Sequence, residues 1–241
     1  MGRIMSIWFA IVLILFKLIA FPIFFILLFK PYPKGQALAH QLNIYWSKIV
    51  FYLSGIRIHI IGKEKIDKNG TYVFTPNHNS YLDIPVCNIA VSNPFRFIGK
   101  KELSKVPLFG WMYQRLYVTV DRKSPRDSYR SYLRSAEFLK QGISMMIYPE
   151  GTIGKNKVIL SAFKEGAFRV AIQTQVPVVP ISLIGTDRIL KDDGKFLLYP
   201  GKVTVIFHEP ISTVGLTEND ITPLKNKVHD LLYYSLTRTT A

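Results

Sequence analysis

The chain has 241 residues, enough for one large domain or two small ones and for a sizeable core. It carries 31 Lys and Arg against 16 Asp and Glu, a formal net charge of +15, while 49% of its residues are hydrophobic and the mean hydropathy is +0.18. That pairing points to an anionic membrane or lipid, and the lack of any zinc-finger, basic-zipper or RNP-like motif argues against nucleic acid. The single cysteine, Cys87, excludes an intramolecular disulfide and sits among apolar residues, where it reads as core rather than nucleophile.

From Ile4 to Phe29 nearly every residue is apolar, with Ser6, Lys17 and Pro22 as the exceptions. As one helix this stretch would run roughly 39 Å, longer than the ~30 Å hydrocarbon core of a bilayer. Lys17 falls near its middle, where a charge costs at least ~2.5 kcal/mol. Two pictures follow: a tilted span with Lys17 in its interior, or two short helices bent between Lys17 and Pro22 that dip into one leaflet. The bent form is preferred, because it leaves Lys17 at the interface. A signal peptide fits poorly, since the run is too long and lacks a small-residue cleavage site. Residues 1–33 are therefore expected to form a membrane-embedded helical segment. The run Pro31–Gly35 is the one clear boundary, and residues 36–241 are expected to form a single catalytic domain.

Leu38, Leu42, Tyr45, Ile49 and Leu53 recur at helical spacing, with Tyr45 and Trp46 placed either to meet lipid headgroups or to pack on the domain. Gly55 ends that helix, and Ile56–Ile60 alternates as a strand. Beyond it the pattern predicts strands over 71–76, 95–99, 116–121, 143–148, 178–184 and 202–207. Helices are predicted over 83–91, 126–140, 165–174 and 217–236. Ile143–Tyr148 and Val178–Leu183 are continuous apolar runs of the kind buried on both faces of a mainly parallel sheet. The fold class is α/β: a layered, mainly parallel mixed sheet flanked by helices.

The run Asn77-His78-Asn79-Ser80-Tyr81-Leu82-Asp83 follows one of these strands. A histidine at a strand end with a carboxylate just into the next element suits a general base, the carboxylate fixing the tautomer and stabilising the imidazolium. On one continuous helix, five residues would turn the two side chains roughly 140° apart, so the pair needs a turn between them, and Asn79-Ser80 supplies turn residues. Ser80 and Asp83 also fit a helix capping box, which would leave His78 an ordinary loop residue. With no convincing nucleophile nearby, the chemistry suggested is activation of a substrate hydroxyl.

Three more clusters follow. Lys101-Glu102-Leu103 precedes a strand that ends in Asp121-Arg122, where a guanidinium at a sheet edge can clamp a phosphate. Tyr148-Pro149-Glu150-Gly151-Thr152 stands at another strand end. There Gly151 lets backbone N–H groups approach a ligand, Thr152 offers a hydroxyl, and Glu150 suits orientation of a substrate hydroxyl or of Arg122. Phe163-Lys164-Glu165-Gly166 places Lys164 before a helix N-terminus, a natural anion site. The prolines of Val176-Pro177-Val178-Val179-Pro180 suggest an edge or a bend in that strand.

In this order the four blocks resemble those of the PlsC-type 1-acylglycerol-3-phosphate acyltransferases, in the glycerophosphate acyltransferase superfamily. Over about residues 55–210 this sequence matches the family's Asn-His-x-x-x-x-Asp, Lys-Glu-Leu…Asp-Arg, Phe-Pro-Glu-Gly-Thr-Arg and Val-Pro-hydrophobic-Pro patterns. Tyr148 stands for the family's Phe, and two departures bear on the substrate: the arginine after Gly-Thr is Ile153, and the glycine before the strand ending in Asp-Arg is Arg115 or Leu116. Lys155, Lys157 or Lys164 can stand in for the missing cation.

The resemblance implies acyl transfer from acyl-CoA or acyl carrier protein to the sn-2 hydroxyl of 1-acylglycerol-3-phosphate, giving phosphatidate. It makes His78 the base, held by Asp83. Arg122, Thr152 and Lys164 would bind the phosphate beside Gly151, and Glu150 would position the glycerol. It implies no metal and no cofactor beyond the acyl donor. It also implies attachment to an anionic membrane, with the catalytic domain on the cytoplasmic side of a bacterial inner membrane. Two rivals stand beside it: an acyltransferase for another lyso-lipid, such as a lyso amino-acid lipid, which Ile153 favours, and a non-catalytic lipid-binding membrane protein.

Overall fold

The computed structural model describes residues 2–29, 34–106, 109–121, 123–154, 159–190 and 196–240. In chain order its elements are α1 (Gly2–Phe29), α2 (Lys34–Leu53), β1 (Ile56–Ile61), β2 (Val73–Pro76), α3 (Asp83–Ala90), β3 (Phe95–Lys100), α4 (Phe109–Leu116), β4 (Tyr117–Val120), α5 (Pro125–Lys140), β5 (Ser144–Met146), α6 (Gly166–Thr174), β6 (Val178–Ile184), α7 (Thr186–Ile189), β7 (Gly201–Phe207) and α8 (Ile221–Thr240). Contacts divide the chain into two units: Met1–Ile61, Asn79–Ser92 and Leu183–Val205 form the first, and Gly62–His78, Asn93–Ser182 and Ile206–Ala241 the second.

In the first unit α1 is one helix of 28 residues, not two short ones, and Pro22 lies inside it. Proline removes one N–H from the ladder, a cost of about 3 kcal/mol, but the Leu-, Ile- and Phe-rich turns on either side carry the helix past it. Trp8 Nε1 donates to the Leu53 carbonyl at 3.1 Å, tying the start of α1 to the end of α2. Ser6 Oγ accepts from the Leu198 N–H at 2.8 Å. Ile4, Ile7, Ile11, Leu15, Ile19, Ile23 and Ile26 leave α1 with an exposed apolar stripe, and Tyr45, Ile49 and Tyr52 are exposed on α2. Among the described residues no helix is long and apolar enough to cross a membrane, so the spanning picture finds no support. The expected boundary at residues 31–35 falls largely outside the described residues.

The second unit orders its strands β4-β3-β5-β2-β6. Each adjacent pair is parallel, with Phe97 opposite Tyr117 and Met146, and Phe74 opposite Met146 and Val179. Val73, Phe74, Met145, Met146, Val178, Val179 and Ile181 are fully buried, as a sheet covered on both faces requires. Each such side chain contributes about 1.5–3 kcal/mol of apolar burial. Helix α5 packs on β4, β5 and α6, and α6 packs on α8. This is a mixed α/β fold with a central sheet and flanking helices. Of the edge or bend expected from the prolines, the edge is not found at Pro180. Pro180 lies opposite Thr75 of β2, and on its other side its carbonyl accepts from the His208 N–H at 3.1 Å. A proline lacks only a donor, so an acceptor-only position inside the sheet tolerates it.

Candidate active site

Because β2 and β5 are parallel neighbours, the segments leaving them emerge at the same end of the sheet. One segment carries Asn77 and His78, the other Tyr148–Gly151. Ligands in open α/β sheets gather at the carboxyl ends of the strands, and here that end holds a histidine gripped on three sides. The His78 N–H donates to Glu150 Oε1 at 2.7 Å. The His78 carbonyl accepts from the Gly154 N–H at 3.0 Å. The imidazole lies face to face with the Tyr148 ring, centroids 3.9 Å apart and planes 19° from parallel.

Glu150 is 3% exposed and its second oxygen accepts from the Ser161 N–H at 3.0 Å. Burial pushes its carboxyl above the ordinary carboxylate range, and the two N–H bonds pull it part of the way back. Glu150 thus bridges two backbone segments, where the sequence suggested orientation of a substrate hydroxyl or of Arg122.

Gly151 adopts a left-handed φ of 74°, and its N–H closes the turn onto the Tyr148 carbonyl at 3.0 Å. A β-carbon there would lie 3.0–3.1 Å from the end of the Lys164 side chain. Lys164 is itself held by its N–H on the Pro149 carbonyl at 2.8 Å, just ahead of α6, and its side chain is exposed. The structure therefore brings His78, Glu150, Gly151 and Lys164 together. Thr152 is exposed beside them, with its hydroxyl 3.5 Å from the Ile153 carbonyl. Ile153 is buried, so the position of the family's arginine is packed into the protein here. Behind this turn, a cavity of about 200 Å³ is lined by Tyr148, Pro149, Gly151 and Lys164, by Ser128, Ser131 and Ser135 of α5, and by apolar side chains of the strands and α6.

Asp83 belongs to the first unit. It is fully buried, and its Oδ2 accepts from the N–H groups of Asn79 at 2.8 Å and Ser80 at 2.9 Å. Ser80 Oγ accepts from Leu82 N–H at 3.2 Å and donates to the Leu190 carbonyl at 2.7 Å. The carboxylate half of the predicted capping box is present, while the helix itself begins only at Asp83 after a turn. Arg122, Lys155 and Lys157 lie outside the described residues. Around Arg122 the flanks are fixed by Asp127, which sequence reasoning missed: its carboxylate pairs with Lys101 Nζ at 2.8 Å and accepts from the Asp121 N–H at 3.2 Å. That hydrogen bond from Lys101 is the main reason its pKa is lowered. Among the described residues no group of three His, Cys, Asp or Glu is arranged to hold a metal.

The chain matches the Acyltransferase family model over residues 57–184, more than half its length. It is 36% identical over 219 residues to a chloroplastic 1-acyl-sn-glycerol-3-phosphate acyltransferase of Arabidopsis thaliana, covering 87% of this chain and 60% of that protein. It is 31% identical over 186 residues to the alpha form of the Mus musculus enzyme of that name, covering 75% and 64%. The chain thus spans less than two thirds of the length of these curated relatives. The crystal structure of the 1-acyl-sn-glycerophosphate acyltransferase PlsC from Thermotoga maritima superposes with a TM-score of 0.83 at 24% identity, covering 100% of this chain and 96% of that one, and shares the fold. With the matched region running from β1 to the end of β6 and including His78 and the Pro149–Gly151 turn, the chain belongs to the acyltransferase family.

Proposed function

We propose that this chain is a 1-acylglycerol-3-phosphate acyltransferase, moving an acyl group from acyl-CoA or acyl carrier protein to the sn-2 hydroxyl of lysophosphatidate. The observation that carries the reading is the grip on His78 at the carboxyl end of the sheet, with the Lys164 cation at the adjoining turn. His78 takes the hydroxyl proton as the oxygen attacks the thioester carbonyl. The new C–O bond forms, the C–S bond breaks, and the proton passes from the imidazolium to the leaving thiolate. Asp83 orients the imidazole and stabilises its charged form, Glu150 holds the backbone that carries it, and Lys164 with Arg122 and Thr152 receives the phosphate. The donor needs no further cofactor.

The exposed apolar stripe of α1 supports burial of residues 1–33 in a membrane, and the tie between Trp8 and Leu53 supports a hairpin with α2 that enters one leaflet. The net charge of +15 suits an anionic surface. Highly charged thioester donors do not cross a bilayer, which supports a catalytic domain on the cytoplasmic face, at the inner membrane if the cell is bacterial. Buried Ile153 favours a second reading in which the acceptor is another lyso-lipid.

The test supplies the purified protein with labelled acyl-CoA or acyl-acyl carrier protein and a panel of lyso-lipids. Phosphatidate formed from lysophosphatidate, and absent in His78→Ala, is expected. Transfer to a different acceptor only would replace the first reading with the second, and no donor consumption with any acceptor would sink both.

A further inference from the structure

We infer that Tyr148 is a positioning residue for the base: its ring fixes the plane of the His78 imidazole and presents a π face to the charge that His78 acquires. The inference rests on the reading of His78 as base.

The contact at 3.9 Å is the shortest in a continuous stack of five rings. Behind Tyr148 lies Phe97, 6.2 Å away and 10° from parallel. Behind Phe97 lies Tyr117 at 5.4 Å and 16°, and behind that Tyr113 at 4.4 Å and 19°. The sheet builds this stack. Phe97 and Tyr117 stand opposite each other on β3 and β4, so their side chains share a face. Phe97 also stands opposite Met146, and Tyr148 follows Met146 by two residues, which keeps the same face. A ring mounted on such a base has little freedom to tilt, and Tyr113 is buried at the far end.

A face-on stack constrains the plane of the imidazole while its nitrogens lie at the ring edge, where proton transfer occurs. His78 is only 8% exposed, so the π face takes the place of water on that side. A general base accepts the hydroxyl proton and so becomes cationic as the reaction proceeds. A neutral ring is held there by stacking alone, and a cation over the same aromatic face is attracted in addition by the ring quadrupole. The stabilisation therefore grows toward the transition state and belongs to turnover rather than to binding. The phenol oxygen has no part in this, so phenylalanine serves equally well. One short block then grips the base twice: the Tyr148 ring stacks on its imidazole, and Glu150 Oε1 accepts from its backbone N–H.

The test compares Tyr148→Phe, Tyr148→Leu and His78→Ala in the full chain in detergent, with kcat and KM for both substrates. The His78 ring-proton resonances are recorded in histidine-labelled protein and assigned by their loss in His78→Ala. Tyr148→Phe should keep kcat within about twofold. Tyr148→Leu should lower it roughly ten- to thirtyfold, with both KM values unchanged. The upfield ring-current shift of His78 should persist in the phenylalanine variant and vanish in the leucine one. Tyr148→Met, which fills the space without a π face, replaces the leucine variant if that one does not fold. A leucine or methionine variant with wild-type kcat, a loss confined to KM, or failure of phenylalanine to restore kcat overturns the inference and leaves the base assignment standing. Full turnover in His78→Ala overturns both.

Discussion

Replacing Glu150 with glutamine separates its backbone role from contact with substrate. In the native protein two carboxylate oxygens accept two N–H groups, those of His78 at 2.7 Å and Ser161 at 3.0 Å. Glutamine keeps the shape but has one oxygen, so its NH₂ group must face one of the two amides. A charge-assisted hydrogen bond is worth about 1.5–3 kcal/mol, and an orphaned buried N–H costs about 1–3 kcal/mol. Neutralising a buried carboxylate returns part of this, because burial works against its charge. The net expectation is a loss of about 2 kcal/mol, or roughly 4–8 °C in melting temperature for a chain of this size. Any shift of the segment carrying His78 also displaces the base, and a misplacement near 1 Å costs about a hundredfold in rate. Thermal unfolding by circular dichroism and steady-state acyl transfer should therefore show a lower melting point together with a fall in kcat at unchanged acceptor KM. The pH dependence has a definite sign. The pKa of Glu150 is raised on folding, so its ionisation weakens the native state as pH rises from the ordinary glutamate range through the folded value. The deficit of the glutamine variant should accordingly be largest in acid and shrink toward neutrality. A variant that melts like the wild type and shows only a raised acceptor KM would refute this reasoning and return Glu150 to the acceptor.

His78→Ala should fold and bind membrane normally while losing about 10²–10⁴-fold in acyl transfer, measured with labelled donor. Asp83→Asn weakens the charge-assisted bonds to Asn79 and Ser80 and should cost roughly 1–2 kcal/mol in unfolding free energy. It should also depress kcat severely, and stability loss with full activity would reduce Asp83 to a capping role. Gly151→Ala forces a β-carbon into a left-handed position at roughly 1–2 kcal/mol and against the end of Lys164, so a lower melting point and a raised KM for phosphorylated acceptor should appear together. Deleting residues 1–33 should release the protein from vesicles yet spare some activity on micellar substrate.

Local patterns carried much of the fold. The apolar run of β6 and the amphipathic run of α5 fall within a residue of the elements that form, because each is specified by its own side chains. The short helices α4 and α7 were not legible: neither reaches three turns, and Gly110 interrupts the pattern within α4. The last helix starts at Ile221 rather than 217 because Thr217 and Asp220 form a capping box around a 3₁₀ turn ahead of it. Pro180 misled for a different reason. Strand position depends on which backbone groups the neighbours need, and that is a tertiary property.

The residues around the base divide along the same line. His78, Glu150, Gly151 and Lys164 were legible as chemically apt groups at strand ends, but their mutual roles were not. The contacts that set those roles join positions about seventy residues apart. What makes them meet is the parallel pairing of β2 with β5, which delivers Asn77-His78 and Tyr148-Pro149-Glu150 to one end of the sheet. Two motif blocks that each follow a buried strand of an expected parallel sheet are the sequence signal for this meeting. The consequence is chemical. A carboxylate with both oxygens on backbone N–H groups and a ring stacked on the imidazole do not need to touch the substrate to control it. They set where His78 stands. Lys164 and Thr152 are exposed beside the same turn, and the end of the Lys164 side chain lies against Gly151. One turn thus holds His78 from within and presents Lys164 and Thr152 from without, and its geometry hangs on Gly151.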